Sequence, residues 1–150
     1  MFSSSPLSSL CVSPCGRYDK MGVAPAFPFG FGLSYGSFKY SGLAVAGRTI
    51  SMVVERDPAD PRTAGCDTAQ FYFSFPAADT DSAVPTKVLR YFEKVCVDNA
   101  TVSFTYTDRD VSNWDVESKQ WVVTTGKFVV WGLQASQGGL TSQSTTFTVA

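Results

Sequence analysis

Ala69-Gln70-Phe71-Tyr72-Phe73-Ser74-Phe75-Pro76 places an apolar side chain at every second position and then stops on a proline. Successive side chains of a strand point to opposite faces. Ala69, Phe71, Phe73 and Phe75 therefore predict one buried face, and Gln70, Tyr72 and Ser74 a second that is partly apolar. Pro76 has no N–H to continue a ladder, which ends the strand there. Period two recurs upstream. Phe38, Tyr40, Leu43 and Val45 predict a strand with an irregular step at Gly42, and Ile50, Met52 and Val54 a half-buried second one, joined by a turn at Gly47-Arg48.

Residues 56–65 and 77–85 have the Pro, Gly and Asp composition of loops. Beyond them, residues 88–97 read as extended, with Leu89, Phe92 and Val95, and Val102, Phe104 and Tyr106 alternate. Asp108 is a good helix N-cap, and residues 108–114 are expected to form one turn of helix bridging two strands. Residues 120–124, 128–133 and 145–149 complete the pattern, with turns at Gly126 and Gly138-Gly139. About seven short strands separated by regular turn signals predict an all-β, immunoglobulin-like two-sheet β-sandwich.

A chain of 150 residues is long enough for one such domain with a real core. Twelve Lys and Arg against thirteen Asp and Glu leave a net charge of −1, with no basic run, so no nucleic-acid partner is expected. No stretch approaches the roughly 20 continuous apolar residues that cross a bilayer, and no membrane partner is expected either. Residues 1–16 lack the basic start and apolar run of an export signal. Residues 1–15 read as a disordered leader or truncation remnant, 16–36 as a linker and 37–150 as the folded domain; the chain itself leaves localisation open.

The chain contains no histidine, which removes the commonest general base and the usual Ser or Cys triads. No phosphate-binding glycine loop is present, because the glycines of residues 29–33 are followed by neither a lysine nor a helix. Glycoside hydrolysis by retention needs two carboxylates about 5 Å apart. Asp108, Asp110, Asp115 and Glu117 are the one cluster that invites that reading, and a cap with solvated turn residues describes them better. Four cysteines divide into Cys11 with Cys15 and Cys66 with Cys96. The first pair lacks a second metal half-site, so no metal and no cofactor are expected.

If the strands on either side of residues 77–85 pair as antiparallel neighbours around a loop centred at Asp81, Cys66 and Cys96 fall opposite each other within disulfide range. A register shift of one or two residues would separate them. Asn99-Ala100-Thr101 satisfies the N-glycosylation pattern, which matters only for a secreted chain. An aromatic content of 14% with three tryptophans raises the alternative of a carbohydrate-binding platform. Phe71, Phe73, Phe104 and Phe128 at period two read as core instead, and Trp114, Trp121 and Trp131 as core or edge packing.

Pro25-Ala26-Phe27-Pro28-Phe29-Gly30-Phe31-Gly32-Leu33-Ser34-Tyr35, followed by Phe38, alternates glycines with rings, as a chain does where it must turn and be clamped. This run resembles the linker into the C-terminal domain of glycoside hydrolase family 3, the β-glucosidases and β-xylosidases. Further matches follow in order. Ala64-Gly65-Cys66-Asp67-Thr68-Ala69-Gln70-Phe71-Tyr72 resembles that domain's third strand, and Phe92-Glu93-Lys94-Val95 its next segment. Asp110-Val111-Ser112-Asn113-Trp114-Asp115, Gln120-Trp121-Val122-Val123 and Gly126-Lys127-Phe128 resemble its later region.

The resemblance spans residues 16–150 and implies a fibronectin type III-like β-sandwich. It implies a structural module of a β-glucosidase-like enzyme that hydrolyses terminal β-D-glucosyl residues, from a family commonly secreted. The nucleophile and the acid/base residue of that family lie in domains that would precede Met1, so no catalytic residue is expected here and the chain alone is expected to be inactive. Its expected partners are those catalytic domains, with Phe27, Phe29, Phe31 and Tyr35 as candidate docking residues; an independent carbohydrate-binding or adhesion module is the alternative. Tyr91, Asp98-Asn99-Ala100, Gly36-Ser37 and Trp131-Gly132-Leu133 depart from the family pattern and bear on loop geometry and docking.

Overall fold

Strands form where the apolar residues keep period two, and every pairing between them is antiparallel. The computed structural model describes residues 23–32, 36–61, 65–76, 86–96, 98–135 and 142–150. In chain order these hold β1 (Phe38–Ala46), β2 (Thr49–Arg56), β3 (Asp67–Ser74), β4 (Val88–Val95), β5 (Asn99–Thr105) and a 3-10 turn (Asp108–Val111). Then come β6 (Ser112–Asp115), β7 (Gln120–Val123), β8 (Gly126–Leu133) and β9 (Gln143–Val149). A three-stranded sheet runs β1-β2-β5, a four-stranded sheet β4-β3-β8-β9, and β6 and β7 form a separate two-stranded ribbon.

The core lies between the two larger sheets. Ile50, Met52 and Val54 from β2 and Val102 from β5 meet Phe71 and Phe73 from β3 and Phe128 and Val130 from β8, all essentially without solvent contact. Each large apolar side chain buried this way contributes about 1.5–3 kcal/mol. Close approach of the sheets is needed at Gly132, where an added Cβ would overlap the Met52 sulfur.

Two irregularities answer local features of the sequence. A bulge in β1 between Ser41 and Ala44 coincides with the step expected at Gly42. A second, opposite Phe71 and Tyr72, leaves Arg90 outside the β3–β4 register. Tyr91, which departs from the family pattern, is accommodated beside it: its ring stacks on Phe104 at 4.8 Å between centroids, tilted by 12°. Asp98, another departure, pairs with Arg56 at 2.9 Å.

The region after β5 differs from expectation. Thr107, not Asp108, is the N-cap, and the helical turn is a four-residue 3-10 segment ending at Val111. The Asp110 carboxylate reaches back to accept the Thr107 N–H at 2.7 Å and its hydroxyl at 2.8 Å, which places the cap one residue earlier. Asn113 and Trp114 leave the helical turn because they pair with Val122 and Trp121. The segment at 120–124, counted among the sandwich strands, is strand over Gln120–Val123 and belongs to this ribbon. The extended segment from Val88 ends at Val95; Val97, residues 77–85 and Gly138-Gly139 lie outside the described residues.

Candidate functional site

The linker approaches the sandwich through a tight turn. Phe31 N–H donates to the Pro28 carbonyl at 3.0 Å, and Gly30 adopts φ +82°, the left-handed value that the third position of such a turn requires. The Gly30 backbone rests on the side-chain amide of Gln70, and an added Cβ would overlap that amide. A glycine is therefore required twice over at position 30, for its dihedral and for the contact. With its backbone against the sheet, the turn leaves its rings outward: Phe27 is 74% exposed, Phe29 52% and Phe31 53%. Phe27 and Phe31 touch, with centroids 5.5 Å apart. Tyr35, the fourth candidate docking residue, lies outside the described residues.

Phe92 was not singled out as a docking residue and extends the same surface. It pairs across β3–β4 with Gln70, the residue under the turn, and is 63% exposed. Cross-strand partners share a face of the sheet, so Phe92 stands beside the docked turn. Its signal was present in the sequence as an apolar residue on a strand; which way it points depends on the β4 bulge.

Beneath the turn lies a buried polar network. Gln70 donates from Nε2 to the Gln134 carbonyl at 2.8 Å and accepts at Oε1 from the Tyr72 hydroxyl at 2.6 Å. Gln134 donates in turn to Asp67 Oδ2 at 3.0 Å, which also accepts from the Tyr40 hydroxyl at 2.8 Å. Gln70 and Asp67 are buried, and buried polar groups are tolerated only when bonded in this way. The network ties β1, β3 and the segment after β8 to the place where the linker docks.

Burial of the Tyr40 phenol, reinforced by the Asp67 charge and the hydrogen bond to it, pushes its pKa well above the ordinary 10.0. A group whose folded pKa is raised contributes stability that is full below its unfolded pKa and is lost as pH climbs toward the folded value. Urea midpoints are therefore expected to fall between about pH 9 and pH 11 in the wild type, and to fall less in Tyr40→Phe, which has no phenol to ionise. Parallel pH profiles for the two proteins would refute this origin.

The carboxylate cluster is held by structural contacts. Asp108 pairs with Arg48 at 2.6 Å, and Asp110 is held by Thr107. Asp115 accepts the Ser118 hydroxyl and the Ser118 and Glu117 N–H groups, which hold its pKa below the ordinary carboxylate value. A depressed pKa is the wrong direction for a general acid. No group of three or more potential metal ligands occurs among the described residues; Cys11 and Cys15 lie outside them.

Trp114 and Trp121 are not core. They pair across the ribbon, each 48% exposed, and meet edge-to-face at 62°. The Arg109 guanidinium covers one face of Trp121 at 3.1 Å. Trp131 on β8 is half-buried, donates its indole N–H to Ser74 at 3.0 Å and has Lys87 over its ring. A sugar stacks on a flat, open ring face. Crossed rings with a cation on one face suit packing against protein better.

Cys66 and Cys96 form a disulfide with Cα atoms 4.1 Å apart. They continue the β3–β4 ladder one pair beyond Asp67 and Val95. Asn99 opens β5 and is exposed.

Comparison with known proteins extends this picture. The fibronectin type III-like domain model matches residues 67–136. Probable beta-glucosidase L of Aspergillus fumigatus is 39% identical over 138 residues, covering 77% of this chain and 18% of that protein. Probable beta-glucosidase M of Aspergillus niger is 34% identical over 141 residues, again 18% of its length. Among solved structures, a beta-D-glucoside glucohydrolase from Trichoderma reesei superposes with a TM-score of 0.76 at 26% identity, over 90% of this chain and 22% of that one. Beta-glucosidase 3B from Thermotoga neapolitana gives 0.75 at 29% identity, over 90% and 19%. The chain thus spans about a fifth of the length of the proteins it matches.

Proposed function

Because this chain belongs to the C-terminal fibronectin type III-like domains of family 3 β-glucosidases, we propose that it works as a non-catalytic packing module, docking on the catalytic domains of such an enzyme through its linker face. The observation that carries this reading is the outward set Phe27, Phe29, Phe31 and Phe92 around a turn anchored on Gln70. Exposed apolar clusters of this kind mark interaction surfaces, and aromatic side chains supply the anchors of such interfaces. The anchored turn pre-orients the rings, so little ordering entropy is lost on docking. Hydrolysis of terminal β-D-glucosides belongs, in this reading, to the domains it packs on.

The test uses co-expression with the catalytic region of beta-glucosidase L from which the matched segment has been removed. The wild-type chain is expected to co-purify with it, and the Phe27→Ser, Phe29→Ser, Phe31→Ser triple variant to lose that association while keeping its own thermal midpoint. The chain alone is expected to self-associate through the same rings and to leave an aryl β-glucoside uncleaved. A monodisperse monomer at high concentration, or turnover by the purified chain, would count against the reading.

A further inference from the structure

The two sheets present outer faces of different kinds. On the four-stranded sheet, Gln70, Tyr72 and Leu133 are buried beneath other groups and Phe92 is an exposed ring. On the three-stranded sheet, the outer face is built from short or charged side chains, among them Lys39, Ser51, Glu55, Thr101, Ser103 and Thr105, exposed or half-exposed. Val53, Ala44 and Ala46 are the apolar members of this face among the described residues, so it offers little apolar area to a protein partner and reads as the solvent side of the domain.

Asn99 stands at the start of β5 on this face. In β5 the inward residues are Ala100, Val102 and Phe104, so Asn99 and Thr101 project together to the exposed side. The amide and the hydroxyl that the Asn-x-Thr pattern requires therefore share one open surface. The Asn99 side chain donates to Glu55 Oε1 at 3.4 Å, a long contact whose loss disturbs nothing buried. Among the described residues β5 pairs with β2 alone, and no described strand lies on its other edge. Independently, the Cys66–Cys96 disulfide closes just before the same strand. Structural disulfides form and persist in oxidising compartments such as the secretory lumen, where N-linked glycans are also attached.

We propose that Asn99 is an N-glycosylation site, used when the chain passes through a secretory compartment. The bond formed joins Asn99 Nδ2 to the anomeric carbon of an oligosaccharide delivered on a lipid diphosphate. The bond from that carbon to the diphosphate oxygen breaks, the lipid diphosphate leaves with the electron pair, and the amide nitrogen gives up a proton. A glycan here would screen the edge of β5 that faces away from β2, a template for edge-to-edge association where no strand covers it. It would stand on the sheet face opposite the linker turn, so its presence is independent of whether docking occurs as proposed above.

The test is secretion of the full 150-residue chain from a yeast host behind a host export signal, as wild type, Asn99→Gln, Thr101→Ala and Thr101→Ser. Peptide N-glycosidase digestion is expected to increase the mobility of wild type and Thr101→Ser and to leave aspartate at position 99, readable by peptide mass. Asn99→Gln and Thr101→Ala should show no mobility change, with thermal midpoints matching the deglycosylated wild type. Secreted, disulfide-bonded wild-type chain with unmodified Asn99 would overturn the assignment, as would a peptide N-glycosidase-sensitive mobility shift that persists in Asn99→Gln. Because Thr101→Ser keeps the pattern and Thr101→Ala removes it, the pair remains decisive if Asn99→Gln fails to fold.

Discussion

Phe73→Ala is expected to cost about 3–5 kcal/mol of folding stability, a large part of the roughly 5–15 kcal/mol that holds an ordinary domain together. Phe73 has no solvent contact and lies where the two sheets meet. Its ring contacts Phe147 at 5.2 Å, Tyr106 at 6.0 Å, Phe104 at 6.2 Å and Phe128 at 6.5 Å. These partners come from β5, the segment after it, β8 and β9, so truncation opens a cavity that several strands border and that no single side chain can fill. The measurement is the urea midpoint, with Phe92→Ala as the control, because an exposed substitution is normally worth within about 0.5 kcal/mol. Equal shifts for the two variants would refute the central position of Phe73.

Removal of the Cys66–Cys96 disulfide ranks second in expected effect. The bond closes a segment of 30 residues, and in the chain-entropy description such a loop restrains the unfolded state by about 3–4 kcal/mol. For a domain of this size the thermal midpoint of the Cys66→Ser, Cys96→Ser double variant should fall by roughly 10–20 °C. The wild type under a thiol reductant should show the same loss. The bond also clamps the β3–β4 ladder next to Asp67, the residue that bonds Tyr40 and Gln134. Near-ultraviolet circular dichroism of the tyrosines should therefore loosen at temperatures where the native chain is still rigid. An unchanged midpoint on reduction would show that the closed loop is already compact in the unfolded chain.

Much of the sandwich was legible residue by residue. The alternation of Ala69, Phe71, Phe73 and Phe75 names the buried face of β3 because side-chain direction along a strand is a local property of the backbone. The irregular step at Gly42 and the turn at Gly47-Arg48 were legible for the same reason. The site was legible in a different sense: the run of rings and glycines at residues 27–35 announced a turn that needs a partner, without saying which face it would dock on.

What the amino-acid sequence determined by itself was the all-β class, the strands of the two larger sheets, and the family to which their ordered motifs belong. Each of these rests on neighbours within a few residues, or on motif order. Tertiary structure alone decided where Gln120–Val123 goes. Its pattern would suit a sandwich strand equally well, and only pairing with Ser112–Asp115 places it in the ribbon with Trp114 and Trp121 exposed. It also decided that Gln70 and Asp67 are buried rather than solvated, since their partners Gln134 and Tyr40 lie 64 and 27 residues away. Burying a polar group depends on whether a distant partner arrives to bond it, and that information is held in the packing, not in the local pattern.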